Sequence, residues 1–425
     1  MCQLRDGGAN EAGSSAARTV GTFTIRCTVY LTGPTGGKPV TDAFADRTLA
    51  DHRRVFEKIW WQNPERQNAT SSSWWFFLLF PESKEGYGPR QLMFSIAASV
   101  GEQSRVNDLP PRGMDADRAV ADGVDRFDAT TVGWVGGEDV VHDHVVRQPA
   151  QAVLSREDQR LDAWADREDG TRRGSEMAAL SDRPLGLQLH VVGDDAEGEF
   201  EAWGDLDSKM TSPHHSLDID TPLGGADVVA WRRMEFEGEF DLPDGPETLS
   251  GSCYFQRVCF DMPLVPWKWV WAIFPDGTSF SVLVPFLGPQ LFRRGYKFFD
   301  SNRLERLTIP LRQDGFWDWG SNDGHVEFDR VTVEPLLNAG EHPDFDVRVE
   351  NDAGDYVRFV AQTYGHARNW LDRPRLGGRI ASHWSYNEFM FRMSGLAGRI
   401  GGTAIDDKSM GTGFGTLEYS TGLGL

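Results

Sequence analysis

Apolar side chains in this chain recur at every second position far more often than at helical spacing, which predicts strands rather than helices. In "WKWVWAIFPDGTSFSVLV" (Trp267 to Val284), Trp267, Trp269 and Trp271 share one face of a predicted strand and Lys268, Val270 and Ala272 the other, before a Pro-Asp-Gly turn and a second apolar run. "SSSWWFFLLF" followed by "QLMFSIAAS" predicts a hairpin with a long polar loop. "DFDVRVENDAGDYVRFVAQTY" predicts another through an Asn-Asp-Ala-Gly turn, and "RTVGTFTIRCTVYL" predicts one or two early strands. Only "TLADHRRVFEKIWWQN", with Leu49, Val55, Ile59 and Trp60 apolar, predicts a clear helix. Two charge-rich segments, about Gly101 to Asp128 and Ser155 to Pro184, lack a sustained apolar stripe and read as elaborated loops.

The two halves of the pattern resemble each other. "WWFFLLFPESKEGYGPRQLMFSI" and "WVWAIFPDGTSFSVLV" both run aromatic strand, Phe-Pro turn, apolar strand, and the polar stretch "MTSPHHSLDIDTPLGGADVV" is the natural link between them. The expected organisation is all-β: a loose tail over 1–20, an N-terminal antiparallel barrel over 21–222 and a C-terminal one over 223–425.

Composition changes this picture mainly by exclusion. At 425 residues with 40% hydrophobic side chains the chain can fill two cores, and a net charge of −21 argues against nucleic acid or an anionic membrane surface as partner. Lysine occurs at only seven positions while aspartate is abundant, a bias given by a high-GC genome or a salt-adapted cytoplasm, the second being preferred. Cys2, Cys27, Cys253 and Cys259 form no CxxC pair and have no histidine at metal-ligand spacing, which predicts reduced thiols and neither zinc nor a disulfide framework. The first twenty residues lack a signal-peptide core and no apolar run approaches the ~20 residues of a membrane helix, so a cytoplasmic protein with no integral membrane segment is expected.

The order of several elements carries a resemblance. "SWWFFLLF", then "VVAWRRMEFEGEFDLPDGPETLSGSCYFQRVCF", then "WKWVWAIFPDGTSF" and finally "ASHWSYNEFMFRMSG" together resemble the double lipocalin-like superfamily of carotenoid 1,2-hydratase (hydroxyneurosporene synthase) and the lipocalin-like Diels–Alderases. The resemblance spans about Trp74 to Gly395 and implies two tandem lipocalin-like (calycin) barrels, a lipophilic small-molecule ligand held near their interface, and no cofactor or metal. In hydratase-like members an aromatic residue is followed, after one residue, by an acid suspected as proton donor and a histidine. The matching positions here are Tyr254, Gln256 and Arg257, so the acid and the histidine are both replaced, while the closing Tyr386 and Glu388 fit the pattern.

Strand alternation sorts the candidate residues. In "GSCYFQRVCFDM", Ser252, Tyr254 and Gln256 share one face, where Tyr254 and Gln256 could hold a carbonyl or hydroxyl in an apolar pocket or simply meet solvent. Arg257 falls on the other face beside Asp261, as a structural ion pair or, if turned inward, as an anion stabiliser. Tyr386, Glu388 and Met390 share a face among aromatics, the setting that raises a carboxyl pKa for acid catalysis, whereas Asp318 in "GFWDWG" is sent away from its tryptophan neighbours, toward water. His142, His144, His214 and His215 lie in polar stretches without a third ligand and read as solvated loop histidines. Trp75, Trp267, Trp269, Trp271 and Trp384 offer flat walls for a ring-bearing or conjugated ligand, though core filling uses the same residues.

The functions in play are therefore an isoprenoid or polyene hydratase, isomerase or cyclase using Glu388, Tyr254, Gln256 and Arg257; a non-catalytic carrier of a carotenoid, quinone or terpenoid; and a carbohydrate-binding or glycan-active β-protein. Oligomeric state is open.

Overall fold

The computed structural model describes residues 49–60, 72–99, 105–109, 124–138, 140–166, 172–183, 185–204, 214–221, 224–260, 265–287, 308–320, 324–336, 342–375 and 380–422. The expected tail and the early strands of "RTVGTFTIRCTVYL" lie outside these residues.

Two antiparallel barrels stand in tandem, as the period-two pattern requires. In the first, neighbours run in the order Glu197–Trp203, Leu187–Val192, Arg172–Ala179, Arg160–Asp166, Val141–Ser155, Val124–Gly136, Gln91–Ser99, Ser72–Ser83, Gly245–Phe260, Gly224–Leu242. The last of these pairs back onto Glu197–Trp203, with Phe200 opposite Gly238, and so closes the barrel. The second runs His325–Phe328, Asp314–Asp318, Ser279–Leu287, Trp267–Ile273, Phe414–Gly422, Ile380–Ile400, Tyr356–Arg375, Asp344–Glu350, Arg330–Leu336, and its two end strands leave it just short of closure.

The predicted hairpins form, joining Ser72–Ser83 to Gln91–Ser99, Trp267–Ile273 to Ser279–Leu287, and Asp344–Glu350 to Tyr356–Arg375. Gly277, at φ +79°, supplies the left-handed residue of the Pro-Asp-Gly turn. The predicted helix spans Leu49–Glu57, continues as a 3-10 turn through Trp60, and buries Phe56 edge-on against Trp231 of the first barrel at 5.8 Å.

Three expectations about the elements need correction. The division at 222/223 falls inside the first barrel: His214–Thr221 and Gly224–Leu242 pair as a hairpin, and Gly245–Phe260 pairs with Ser72–Ser83, so the first sheet runs through Phe260. The "link" was too rich in turn residues to read as strand. The supposed loop from Ser155 to Pro184 contains the strands Arg160–Asp166 and Arg172–Ala179, where only Leu161 and Met177 are large among the inward positions, the rest being small (Ala163, Ala165, Ser175), so the apolar alternation is weak. His142 and His144 stand on the strand Val141–Ser155 and not in a loop, and His142 Nε2 lies 3.0 Å from Asp244 Oδ1.

Each barrel is filled. Alternate residues such as Trp75, Phe77, Leu79 and Phe255 pack the first interior, and Val270, Ala272, Phe280 and Phe391 the second. The opposite faces of the same strands form a third core between the barrels, where Phe76, Leu78, Phe80 and Tyr254 meet Trp269, Trp271 and Ile273. A β-bulge between Trp231 and Met234 lets both those residues face inward and leaves Arg232 and Arg233 outward. Arg232 Nη1 reaches Asp318 Oδ2 of the second barrel at 3.0 Å, and Arg233 donates to the Gly277 carbonyl at 2.7 Å. Asp318, expected toward water, is thus buried, and His325 Nδ1 approaches it at 2.5 Å.

Candidate functional site

A cavity of about 80 Å³ opens between the barrels. A single water needs roughly 10–15 Å³ on this measure, so the space accepts a molecule, or part of one, with on the order of ten non-hydrogen atoms. Its first-barrel wall is built by outward positions of adjacent strands: Trp74 and Phe76, Met93 and Ser95, Val132 and Gln256. The second barrel contributes Trp267, Tyr386, Glu388 and Glu418. Val106, Asn369 and Leu371 complete it where Val106 pairs with Leu371 and the Asn107 amide donates to Asn369 Oδ1 at 2.8 Å.

Two carboxyls dominate the chemistry. Glu388 and Glu418 are directly opposed on paired strands and both are buried, 4% and 6% exposed. Burial pushes the Glu388 carboxyl up to about 8; a hydrogen bond from Trp134 Nε1 opposes that shift and the Asp143 charge adds to it. Burial likewise raises Glu418 well above the ordinary carboxylate range, and the neighbouring Glu388 raises it further against a hydrogen bond with the Trp267 side chain. At neutral pH the pair is therefore substantially protonated, and its two acids titrate as a unit. No lysine, arginine or histidine lines the cavity among the described residues.

The polar remainder suits recognition. The Tyr254 hydroxyl donates to Gln256 Oε1 at 3.1 Å, so Gln256 offers its amide N–H groups to the cavity. Burial raises the Tyr254 phenol above its usual value, which keeps it a neutral donor. Opposite, Trp74 lies nearly parallel to Trp267 at 6.3 Å and edge-on to Tyr386 at 6.4 Å, a continuous aromatic wall.

The expected residues divide accordingly. Glu388, Gln256, Tyr386 and Trp267 line the cavity, with Tyr254 one hydrogen bond behind. Trp269, Trp271 and Trp384 pack around it without lining it: Trp269 sits 5.0 Å from Tyr254, Trp271 donates to the Arg232 carbonyl at 3.0 Å, and Trp384 backs Trp267 at 5.2 Å. Trp75 and Arg257 do not reach it. They are register partners whose odd positions point into the first barrel, where Trp75 stacks on Phe127 and donates to Ile59 O at 3.0 Å, while Arg257 lies 4.6 Å over the Trp75 ring and donates to Val258 O. Sequence reasoning missed Glu418 and Trp134. In "FGTLEYSTG" the alternation does put Thr416, Glu418 and Ser420 on one face, but nothing local says that this face is covered.

No protein-family model matches the chain, and no curated protein matches it significantly. Solved structures do. A candidate AttH of Nitrosomonas europaea matches over 85% of this chain and 96% of its own at 11% identity and TM-score 0.41. Kievitone hydratase of Nectria haematococca covers 83% and 89% at 11% identity and TM-score 0.39, and CghA covers 83% and 88% at 11% identity and TM-score 0.44.

Proposed function

We propose that the inter-barrel cavity binds a lipophilic small molecule and that Glu388 transfers a proton to it, in a hydration, isomerisation or cyclisation of a C=C bond. The observation that carries this reading is a buried carboxyl, pushed up to about 8 by that burial, in the wall of a mainly apolar cavity. A general acid works best when its pKa lies near the working pH, and burial supplies that match here. Gln256, held by Tyr254, would position a carbonyl or hydroxyl of the ligand, and the Trp74–Trp267–Tyr386 wall would hold its flat part. The volume suits a reacting end or a compact terpenoid-sized body rather than a whole carotenoid.

The test begins with solvent extraction and mass spectrometry of the protein purified from its native host. A co-purifying apolar molecule in one-to-one ratio is expected, and candidate precursors chosen from its structure are then incubated with wild type and Glu388→Gln in D2O. Deuterium incorporation by wild type and at least a hundredfold loss in the variant support the assignment; equal incorporation by both removes Glu388 as the donor. A carrier without turnover is the second reading, favoured by Gln256 standing where the resembling hydratases have an acid. It is supported if the extracted molecule stays unchanged through that incubation.

A further inference from the structure

The carboxyl pair is unusual in what surrounds it. Glu418 Oε1 is buried, lines the cavity and accepts no hydrogen bond from the protein. Glu388 is satisfied by Trp134 on one oxygen only, and no cationic side chain shares the cavity with either acid. Two buried acids opposed in this way would normally be neutralised by a buried arginine or lysine, because leaving a buried carboxylate unpaired is costly. The same protein pairs Asp318 in that way, with Arg232 and His325, 3% exposed at the aspartate side chain. At Glu388 and Glu418 the charge balance is left to a proton or to a ligand.

We propose that the Glu388–Glu418 end of the cavity is a site for positive charge on an apolar frame, so that its ligand is an organic cation or a substrate that becomes one during turnover. The inference rests on the reading of Glu388 as the protonated acid. In a reaction of that type the Glu388 O–H bond breaks as the alkene π pair forms a C–H bond, leaving a carboxylate on Glu388 and a positive charge on the adjoining carbon. Net charge in the cavity is unchanged, and Glu388 regains its proton when water adds to the cation or a neighbouring C–H releases one. Trp74, Trp267 and Tyr386, already in the wall, are the aromatic partners such a charge prefers. A ligand with fixed positive charge mimics this state and must expel a proton from the pair as it binds.

The groups that face the pair are Asp143 from Val141–Ser155, Tyr254 from Gly245–Phe260 and Tyr386 from its own strand, with Arg232 acting on Tyr254. Burial raises Asp143 only to about 6, so at pH 7 it is largely ionised already and contributes little to proton release.

Choline and its neutral isostere 3,3-dimethylbutan-1-ol separate the possibilities by isothermal titration calorimetry at pH 7 in two buffers of different ionisation heat. Choline is expected to bind about tenfold or more tightly than the alcohol and to release close to one proton. Glu418→Gln, checked for an unchanged near-ultraviolet circular dichroism spectrum, should lose the preference for choline over the alcohol. Equal or tighter binding of the alcohol by wild type, or choline binding without proton release, overturns the cation site while leaving the cavity and Glu388 as donor intact. Failure of both probes to bind overturns the cation site and the ligand cavity together.

Discussion

At the scale of single residues the protein carries a liability it would not need for folding alone. Glu388 is neutral when buried and ionised when the chain unfolds, so it favours the folded state fully only below the ordinary glutamate range, and that contribution is lost as pH rises through about 8. Glu388→Gln keeps the acceptor for Trp134 without the titration. The expected result is a melting temperature unchanged at pH 4 and raised progressively toward pH 9, where the gain reaches roughly 3 to 5 kcal/mol; equal melting at both pH values would mean that Glu388 is solvated. Glu388→Gln also removes the neighbouring acid of Glu418 and should move the pH midpoint of the Glu418 signal downward, since one of the influences that raise it is gone. A carbonyl-region infrared titration of wild type against this variant reads the shift directly.

At the scale of elements, the strand Gly224–Leu242 shows how one irregularity couples the barrels. Without the bulge between Trp231 and Met234, strict alternation would bury Arg233 in the first barrel, and only Arg232 would reach across. With it, both arginines hold the second barrel, and Arg232 also lies 3.9 Å over the Phe316 ring. Burial alone would raise the Asp318 carboxyl, but Arg232 and His325 outweigh it and hold it at about 2. Its contribution is therefore present above the unfolded aspartate range and lost as pH falls through 2. Asp318→Ala strands a buried arginine and should destabilise by roughly 3–5 kcal/mol, measured by urea unfolding at pH 7. A loss below about 1 kcal/mol would show that Arg232 finds solvent or another partner.

At the scale of the molecule, the core between the barrels is as dry as either interior, with Trp271, Ile273 and Leu78 all at 0% exposure. Two such bodies should unfold together. Calorimetry is expected to show a single transition, and Trp271→Ala, which opens a hole at the centre of that core and frees the Arg232 carbonyl, should lower stability by about 3–5 kcal/mol while keeping the transition single. Two resolved transitions in wild type would show that the barrels are energetically independent.

The sequence by itself determined the strands with a strong apolar alternation, because a period of two in apolar residues is a local property that survives any arrangement of neighbours; Arg160–Asp166 and Arg172–Ala179, where it is weak, escaped. The Trp267–Ile273 hairpin, the closing strand with Tyr386 and Glu388, and the shared face of Tyr254 and Gln256 were all legible for that reason. What alternation cannot say is which face turns inward, or what covers the other one. That Trp75 and Arg257 fill a barrel while Trp74 and Gln256 line a cavity follows from the way the closed sheets curve and meet, which is a long-range matter. The same holds for Glu418, an unremarked polar residue of the last strand until pairing sets it opposite Glu388 and the first barrel seals it from water. A lone glutamate in a sequence is a solvated charge by default, and only tertiary structure removed the water and made these two acids a pair.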